Sequence, residues 1–543
     1  MKKIILSIII VLLVIGCSED FVDRLPTTSS VVENFYRTPD DATQALTAVY
    51  NMLLHDDWWC SHIYAECASD NCAGGCGTGD GGGHTAVDRG LMLPGPGTNQ
   101  EAWTYYYGGI YRANVYLENE ELIDWTGQEA LRLQYQTEAR FLRAYFHFYL
   151  TRMFGEIPAL DHTITPDDLP GRTPAEDLYA LIIDDLKFCI ENGLSQNYAA
   201  MKPENWSRAT KWAAEAMIAR VYMFYSGYYN DPDLKGFIAE DARNYIDDVI
   251  NNSGHDLVPE YASLWRVSAY SELGGDTSIE GYAGEVNPEV IWSVRYNPSG
   301  NPYSFPFLRM MGPRNTNIEP YGQGWGAMPV VPGLWNTYDT TDSRRKATIL
   351  SWDDEGLTFN WATNQQAQYS GFNTKKYMLA YVNGQREATP NWQLDGAEDY
   401  IVIRFADVLL MGAELHLING DEGTALGYVN RVRERAFGDN SHNYTSISLD
   451  DIFAERKLEL ACEGLRYWDI LRYCKGVFSK LVDILTYIDD TDGGDYSNTT
   501  NLESLDVDGN NFVPTKGLFP IPENEIELME GAIEQNKGYT PNL

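Results

Sequence analysis

The chain has 543 residues, and 78 acidic against 40 basic side chains give it a formal net charge of -38. That charge repels nucleic-acid phosphates and anionic headgroups, which excludes a nucleic-acid function. Aromatic residues make up 13% of the chain, 36 Tyr and 14 Trp among them, an excess suited to stacking surfaces for sugars or peptides.

At the start, Lys2 and Lys3 precede an apolar run from Ile4 to Ile15 broken only by Ser7, and Gly16-Cys17 follow. The run is shorter than the ~20 residues a spanning helix needs, and a small residue precedes the cysteine. It reads as a secretory signal over 1–16 that ends at a lipid-attachment residue, Cys17. Acyl chains there would anchor the body without spanning the bilayer, each buried methylene contributing about 0.8 kcal/mol. No later segment is continuously apolar for long enough to cross a membrane, so the chain after Cys17 is expected to fold outside the cytoplasm.

A polar tether over Phe21 to Ser30 leads to a predicted helix from about Asp40 to Leu54, with Thr38-Pro39 as its start signal. Residues 55 to 100 read as a long loop rich in glycine, with no GK[ST] to make a phosphate loop. Four of the eight cysteines crowd there as Cys60, Cys67, Cys72 and Cys76. Their spacing lacks the C-x2-C knuckle of a zinc site, and an exported chain permits disulfides, so at least one bridge among the four is expected. Cys189, Cys462 and Cys474 fall in helical patterns and read as buried thiols. No motif calls for a metal or a cofactor.

A 3.6-residue period predicts helices around 101–123, 128–154, 174–192, 206–227 and 238–251, in neighbouring pairs of tetratricopeptide style. Ala209, Ala213, Ala216 and Ala219 give one of them a small-residue stripe for close helix packing. Between about 253 and 399 the period vanishes into a loop-rich insertion with brief strand-like runs such as Val290 to Val294. Helical pattern resumes over 400–418, 422–436 and 449–475. The reading is one mainly α domain over 17–543, with a helical scaffold at about 38–252 and 400–543.

The segment EARFLRAYFHFYLTRMFGEIP, Glu138 to Pro158, resembles the SusD/RagB family of surface nutrient-binding lipoproteins. Blocks in family order agree with it, among them AWTYYYGGIYRANVYLE, RATKWAAEAMIARVYMF, IRFADVLLMGAELHLINGD, FAERKLELACEGLRYWDILRY and GLFPIPENEIELM. The resemblance implies a SusD-like fold and non-catalytic capture of a nutrient, usually an oligosaccharide or polysaccharide, on the outer face of an outer membrane. It implies delivery to a SusC-like TonB-dependent transporter. Ser18-Glu19-Asp20 resembles the acidic surface-export signals of such lipoproteins. One branch of the family serves peptide uptake, which leaves peptide capture as an alternative, and a surface endo-glycosidase is the enzyme-class rival.

A sugar site needs aromatic platforms beside planar polar groups. Trp325, flanked by glycines in Tyr321-Gly322-Gln323-Gly324-Trp325-Gly326, is the first candidate, because glycines would leave its ring uncovered. Tyr296, Tyr321 and Arg314 come from the same stretch. Asp70, Asn71 and Arg89 come from the early loop, the other region that family members use. Trp103, Trp206, Trp212 and Trp335 read as structural, and Trp58-Trp59 stays open. Arg404, Asp407 and Glu414, with Glu455, Arg456, Glu459, Glu463 and Arg466, read as ion pairs on helix surfaces or between repeats, not as a catalytic carboxylate pair. The run Asp506 to Asn510 reads as a solvated turn, because Thr515 stands where a calcium loop would close with Glu.

Overall fold

A computed structural model of the protein describes residues 35–54, 60–95, 98–274, 281–297, 305–386, 391–393, 396, 398–486 and 505–539. The leader, Cys17, the acidic residues after it, Trp58-Trp59 and the Cys60 side chain lie outside the described parts.

Helix α1 (Pro39–Tyr50) starts where the sequence points, at Thr38. Thr38 Oγ1 accepts the Asp41 amide at 3.4 Å while Asp41 Oδ2 accepts the Thr38 amide at 2.8 Å, a reciprocal cap that satisfies two otherwise orphaned donors. There follow α2 (Thr98–Asn119), α3 (Glu129–Phe154), α4 (Ala175–Asn192), α5 (Lys211–Tyr228) and α6 (Ala239–Asn252). From α2 onward each helix packs on the next. In α4 the apolar residues Leu178, Tyr179, Ile182, Ile183, Leu186 and Cys189 recur at helical spacing and are buried, with Asp185 beside them, the pattern of a one-sided helix.

Helices α3 and α5 lie at the centre and are buried on all sides, α3 from Phe141 to Phe154 and α5 from Trp212 to Tyr225. Interior charges such as Arg143 and Glu138 are paired, while Arg152 lies over the rings of Phe148, Tyr149 and Trp468. Arg143 forks onto Asp185 with two bonds of 2.7 Å, and Glu138 takes Arg208 Nη1 at 2.6 and 2.8 Å.

Among the described residues, the stretch 253–399 holds short helices and short strands: β1 (Val290–Val294), β2 (Ile349–Ser351), β3 (Phe372–Thr374), β4 (Tyr381–Val382) and β5 (Gln385–Arg386). Strand β6 (Tyr400–Arg404) pairs antiparallel with β1. Residues 400–404 are thus strand and not the start of a helix: the run Ile401-Val402-Ile403 is β-branched and finds a β-rich partner. Helices α7 (Phe405–Ile418), α8 (Glu422–Phe437), α9 (Leu449–Glu459) and α10 (Arg466–Tyr473) complete the scaffold. The predicted single helix over 449–475 is broken because Cys462 and Gly464 take φ of 64° and 77°, which no right-handed helix accommodates.

Helix α7 packs against both α6 and α8. The two helical stretches therefore form one run of packed neighbours, although the whole loop-rich segment lies between them in sequence. Gly227 on α5 lets α10 come close: a Cβ there would stand 2.4 Å from the Arg472 carbonyl oxygen.

Candidate functional site

The region 55–100 is not a plain loop. It carries short helices at Cys60–Cys67 and Gly82–Asp88, and the glycine-rich link between them is laid against the loop-rich segment. Cys72 bridges Val330, Gly75 bridges Ala327 and Gly77 bridges Gln366. The Cys76 amide donates to the Gly326 carbonyl at 2.7 Å, and the Ala73 amide to Pro329 at 2.9 Å. The two regions singled out from the sequence are brought edge to edge, with Trp325 beside their seam.

Trp325 is half-buried. Its amide donates to the Arg309 carbonyl at 2.8 Å, and its own carbonyl accepts Arg314 Nη1 at 3.0 Å. The other terminal nitrogen of Arg314 pairs with Asp80 at 2.8 Å, so one guanidinium joins the tryptophan loop to the early loop. Asp80 remains 57% exposed at its side chain. The Arg309 guanidinium lies 5.0 Å from the centre of the indole. Half-buried Trp361 opens the short helix Trp361–Asn364, just beyond which the Gln366 side chain donates to the Gly326 carbonyl at 2.8 Å, and half-buried Trp392 stands on another neighbouring segment.

The glycines around Trp325 have a different purpose from the expected one. A Cβ on Gly324 would fall 1.3 Å from the Met311 carbonyl oxygen, and one on Gly326, at φ +75°, 1.8 Å from Gln366 Oε1. Gly324 lets backbone approach backbone and Gly326 admits the Gln366 amide at a left-handed turn, so they fix the loop in place of merely clearing the face of the ring.

Of the other candidates, Arg314 joins Trp325, while Tyr321, Tyr296, Asn71 and Asp70 are committed elsewhere. Tyr321 is 1% exposed, with its hydroxyl on Glu355 and Lys375 over its ring. Burial, then Glu355, push that phenol well up. Tyr296 is 7% exposed, stacks on Phe305 at 4.6 Å and donates to the Leu53 carbonyl at 3.3 Å. Asn71 is fully buried and donates to Glu66 at 3.1 Å. Asp70 is held by Arg466 at 2.7 and 3.0 Å and Lys457 at 2.7 Å, and so ties the early loop to α9 and α10. Half-buried Arg89 caps the short helix Gly82–Asp88, and its carbonyl accepts Asn511 Nδ2 at 2.9 Å. The placements of Tyr321, Tyr296, Asn71 and Asp70 correct the sequence reading, since aromatic and polar residues in a loop-rich stretch also serve its own interior, whereas Arg89 uses only its backbone in these contacts.

Sequence reasoning missed Arg309, Asp80, Trp361 and Trp392. The polar runs Asn360-Trp361 and Asn391-Trp392-Gln393, and the glycines on both sides of Asp80, were the available signal.

Of the four crowded cysteines, the Cys60 side chain lies outside the described residues, so the expected bridge is described only for the other three. Cys67, Cys72 and Cys76 are buried thiols with no bridge among them. Of the two readings open for the carboxylates of the C-terminal blocks, the structure has the ion pairs between elements, buried except at half-buried Glu414. Arg404 pairs with Glu289, Glu459 and Glu463, and Arg344 with Asp342, Glu455 and Glu459. Burial alone would raise the Glu459 carboxyl, but Arg435, Arg404 and Arg344 outweigh it and hold it well below its usual range. Paired in this way, Glu455, Glu459 and Glu463 have no face for a substrate. Asp508 caps the turn Gly509–Phe512, accepting the Asn510 amide at 3.0 Å.

The profile of the SusD family matches residues 288–539, and a second, described as starch-binding associating with outer membrane, matches residues 89–223. A SusD-like protein of Bacteroides ovatus is 25% identical over 97% of this chain and 93% of its own length. Surface glycan-binding protein A from Bacteroides fluxus shares the fold with a TM-score of 0.74 at 23% identity, over 93% of this chain and 100% of that one. Surface glycan-binding protein A from Bacteroides thetaiotaomicron, solved in complex with laminarihexaose, gives 0.73 at 22% identity, over 92% of this chain and 99% of that one. The fold is the mainly α, tetratricopeptide-like one of these neighbours.

Proposed function

Because the chain belongs to the SusD/RagB family, we propose that it captures a nutrient glycan at the cell surface without catalysis and passes it to a SusC-like TonB-dependent transporter. The observation that carries the reading is the half-exposed Trp325, fixed at the seam of two loops with Arg314 and Asp80 beside it. A sugar ring would lay its C–H face on the indole, while Asp80 accepts from hydroxyls and the guanidinium edge donates to them. The net charge of -38 favours neutral glycans over polyuronates or sulfated chains through long-range repulsion. The neighbour solved with laminarihexaose supports a glucan-like ligand.

Calorimetry of the purified body, freed of 1–17, against neutral and acidic polysaccharides and peptide pools tests the proposal. Saturable binding of a neutral polysaccharide with no new reducing ends is expected. Binding of peptides alone would establish peptide capture instead, and new reducing ends a hydrolase.

Anchoring through Cys17 on the outer face belongs to the same proposal. Cys17→Ala should abolish incorporation of labelled palmitate and release the body from the membrane fraction, while protease added to intact cells should remove the wild-type body. Equal palmitate labelling of both forms, or full protection from protease, would overturn it.

A further inference from the structure

Cys72 and Cys462 are 390 residues apart in the chain, yet their sulfurs stand 3.7 Å apart. Neither is more than 1% exposed. Cys72 sits where the early loop bridges Val330, and Cys462 sits in the break between α9 and α10, at φ 64°. A bonded pair needs about 2.05 Å, so each sulfur has roughly 0.8 Å to travel, within reach of side-chain rotation.

The other described thiols of the early loop face polar neighbours instead. Cys67 Sγ donates to the Ala73 carbonyl at 3.5 Å, and Cys76 Sγ lies 3.7 Å from His84 Nδ1. Glu66 completes a compact trio with Cys72 and Cys462, the one grouping of metal-ligand type among the described residues. Its carboxylate is already spent. Oε1 accepts the Gly464 and Leu465 amides at 2.7 and 3.2 Å, and Oε2 accepts the Cys462 amide at 3.2 Å and Asn71 Nδ2 at 3.1 Å. With four donors on two oxygens, nothing is left for a cation, and two sulfurs alone do not make a closed zinc site.

We infer that Cys72 and Cys462 form a disulfide in the exported protein. The inference rests on the proposed location outside the cytoplasm. In the reaction the two thiols give up two protons and two electrons as the S–S bond forms. A dithiol–disulfide oxidant of that compartment takes the electrons, its own disulfide opening to two thiols by exchange through a mixed disulfide. Because both sulfurs are buried once folding is complete, exchange precedes the docking of the early loop on the scaffold. The bond clamps the segment that carries Gly75 to Asp80, and with it the seam beside Trp325, to the break between α9 and α10. It also closes a very long loop, which restrains the denatured chain.

Two preparations decide the matter: the full chain from native membranes, and the body refolded in a glutathione redox buffer. Each is denatured without reductant, alkylated, digested and mapped by mass spectrometry. A peptide containing Cys72 linked to one containing Cys462 in both preparations is the expected result, together with a melting midpoint that falls on reduction. The Cys72→Ser/Cys462→Ser form should melt at the lower, reduced midpoint and be insensitive to reductant. Linkage in the refolded body with alkylated thiols in the native protein supports the pair and counts against export. Alkylation of both thiols in both preparations, linkage of Cys72 to Cys60, Cys67 or Cys76, or stoichiometric zinc would each overturn the inference.

Discussion

Arg309 holds its guanidinium 5.0 Å from the centre of the Trp325 indole and anchors itself with a 3.4 Å bond to the Gln393 carbonyl. The ring is oriented by a cation on an adjoining segment, so its half-exposed surface is presented as a rigid platform, with little side-chain entropy left to lose on binding.

Replacing Trp325 with Ala should weaken glycan binding by about tenfold to a hundredfold, the cost of a central stacking contact of roughly 1–3 kcal/mol, while the melting temperature barely moves. Calorimetry with the polysaccharide found in the screen checks both halves. Unchanged affinity would remove Trp325 from the site, and a large fall in melting temperature would make it core.

Gly324→Ala should behave in the opposite way. Its new methyl group meets the Met311 carbonyl oxygen, a backbone atom that cannot swing aside, so the loop must shift at a cost of about 1–3 kcal/mol. Denaturant unfolding should show that loss in the ligand-free protein. Stability equal to wild type would mean that the two backbones are not so close in solution.

Asp70→Asn tests the anchor of the early loop. Burial raises the Asp70 carboxyl, but Arg466 and Lys457 outweigh it and hold it well below the usual range. The stabilisation from a depressed carboxylate is present above its unfolded pKa and lost as pH falls, so the variant should be less stable by about 3 kcal/mol at neutral pH. In acid the gap should close. Urea unfolding of both forms at neutral pH and at the lowest pH that keeps the protein folded measures it, and a gap that does not depend on pH would argue against the ion pairs as its source.

Glu215 carries the opposite sign. Burial, and then Asp248, push its carboxyl up to about 8. The folded state therefore holds a proton that the unfolded chain releases, and stability falls as pH rises from the ordinary carboxylate range to about 8, at up to 1.4 kcal/mol per unit. Glu215→Gln should flatten that slope and gain on wild type at the alkaline end. Thermal melts across the window would show parallel curves if Glu215 did not titrate there.

The scaffold was legible because its signals are local. The Thr38 cap and the apolar spacing of α4 need only neighbouring residues, and they lie where the sequence puts them. Misreadings arose wherever the deciding partner is distant. Tyr400 to Arg404 pairs with a strand more than a hundred residues earlier, and the interior places of Tyr296 and Tyr321 depend on Leu53 and Glu355. The glycines of the Trp325 loop look the same in sequence whether they uncover a ring or admit a carbonyl. Only the position of Met311 separates the two.

The contact between α6 and α7 also sets an order of assembly. A chain that emerges from its N-terminus exposes the side of α6 that carries Ile246, seated beside Gly412 of α7, before α7 exists to cover it, and all of residues 253–404 must appear in between. Closing that separation is entropically slow, and the waiting apolar stripe is open to aggregation meanwhile. Synthesis and transit would leave the N-terminal helices as a holding intermediate. Truncations that end before Phe405 should therefore be sticky, incomplete pieces that never become small stable versions of the whole.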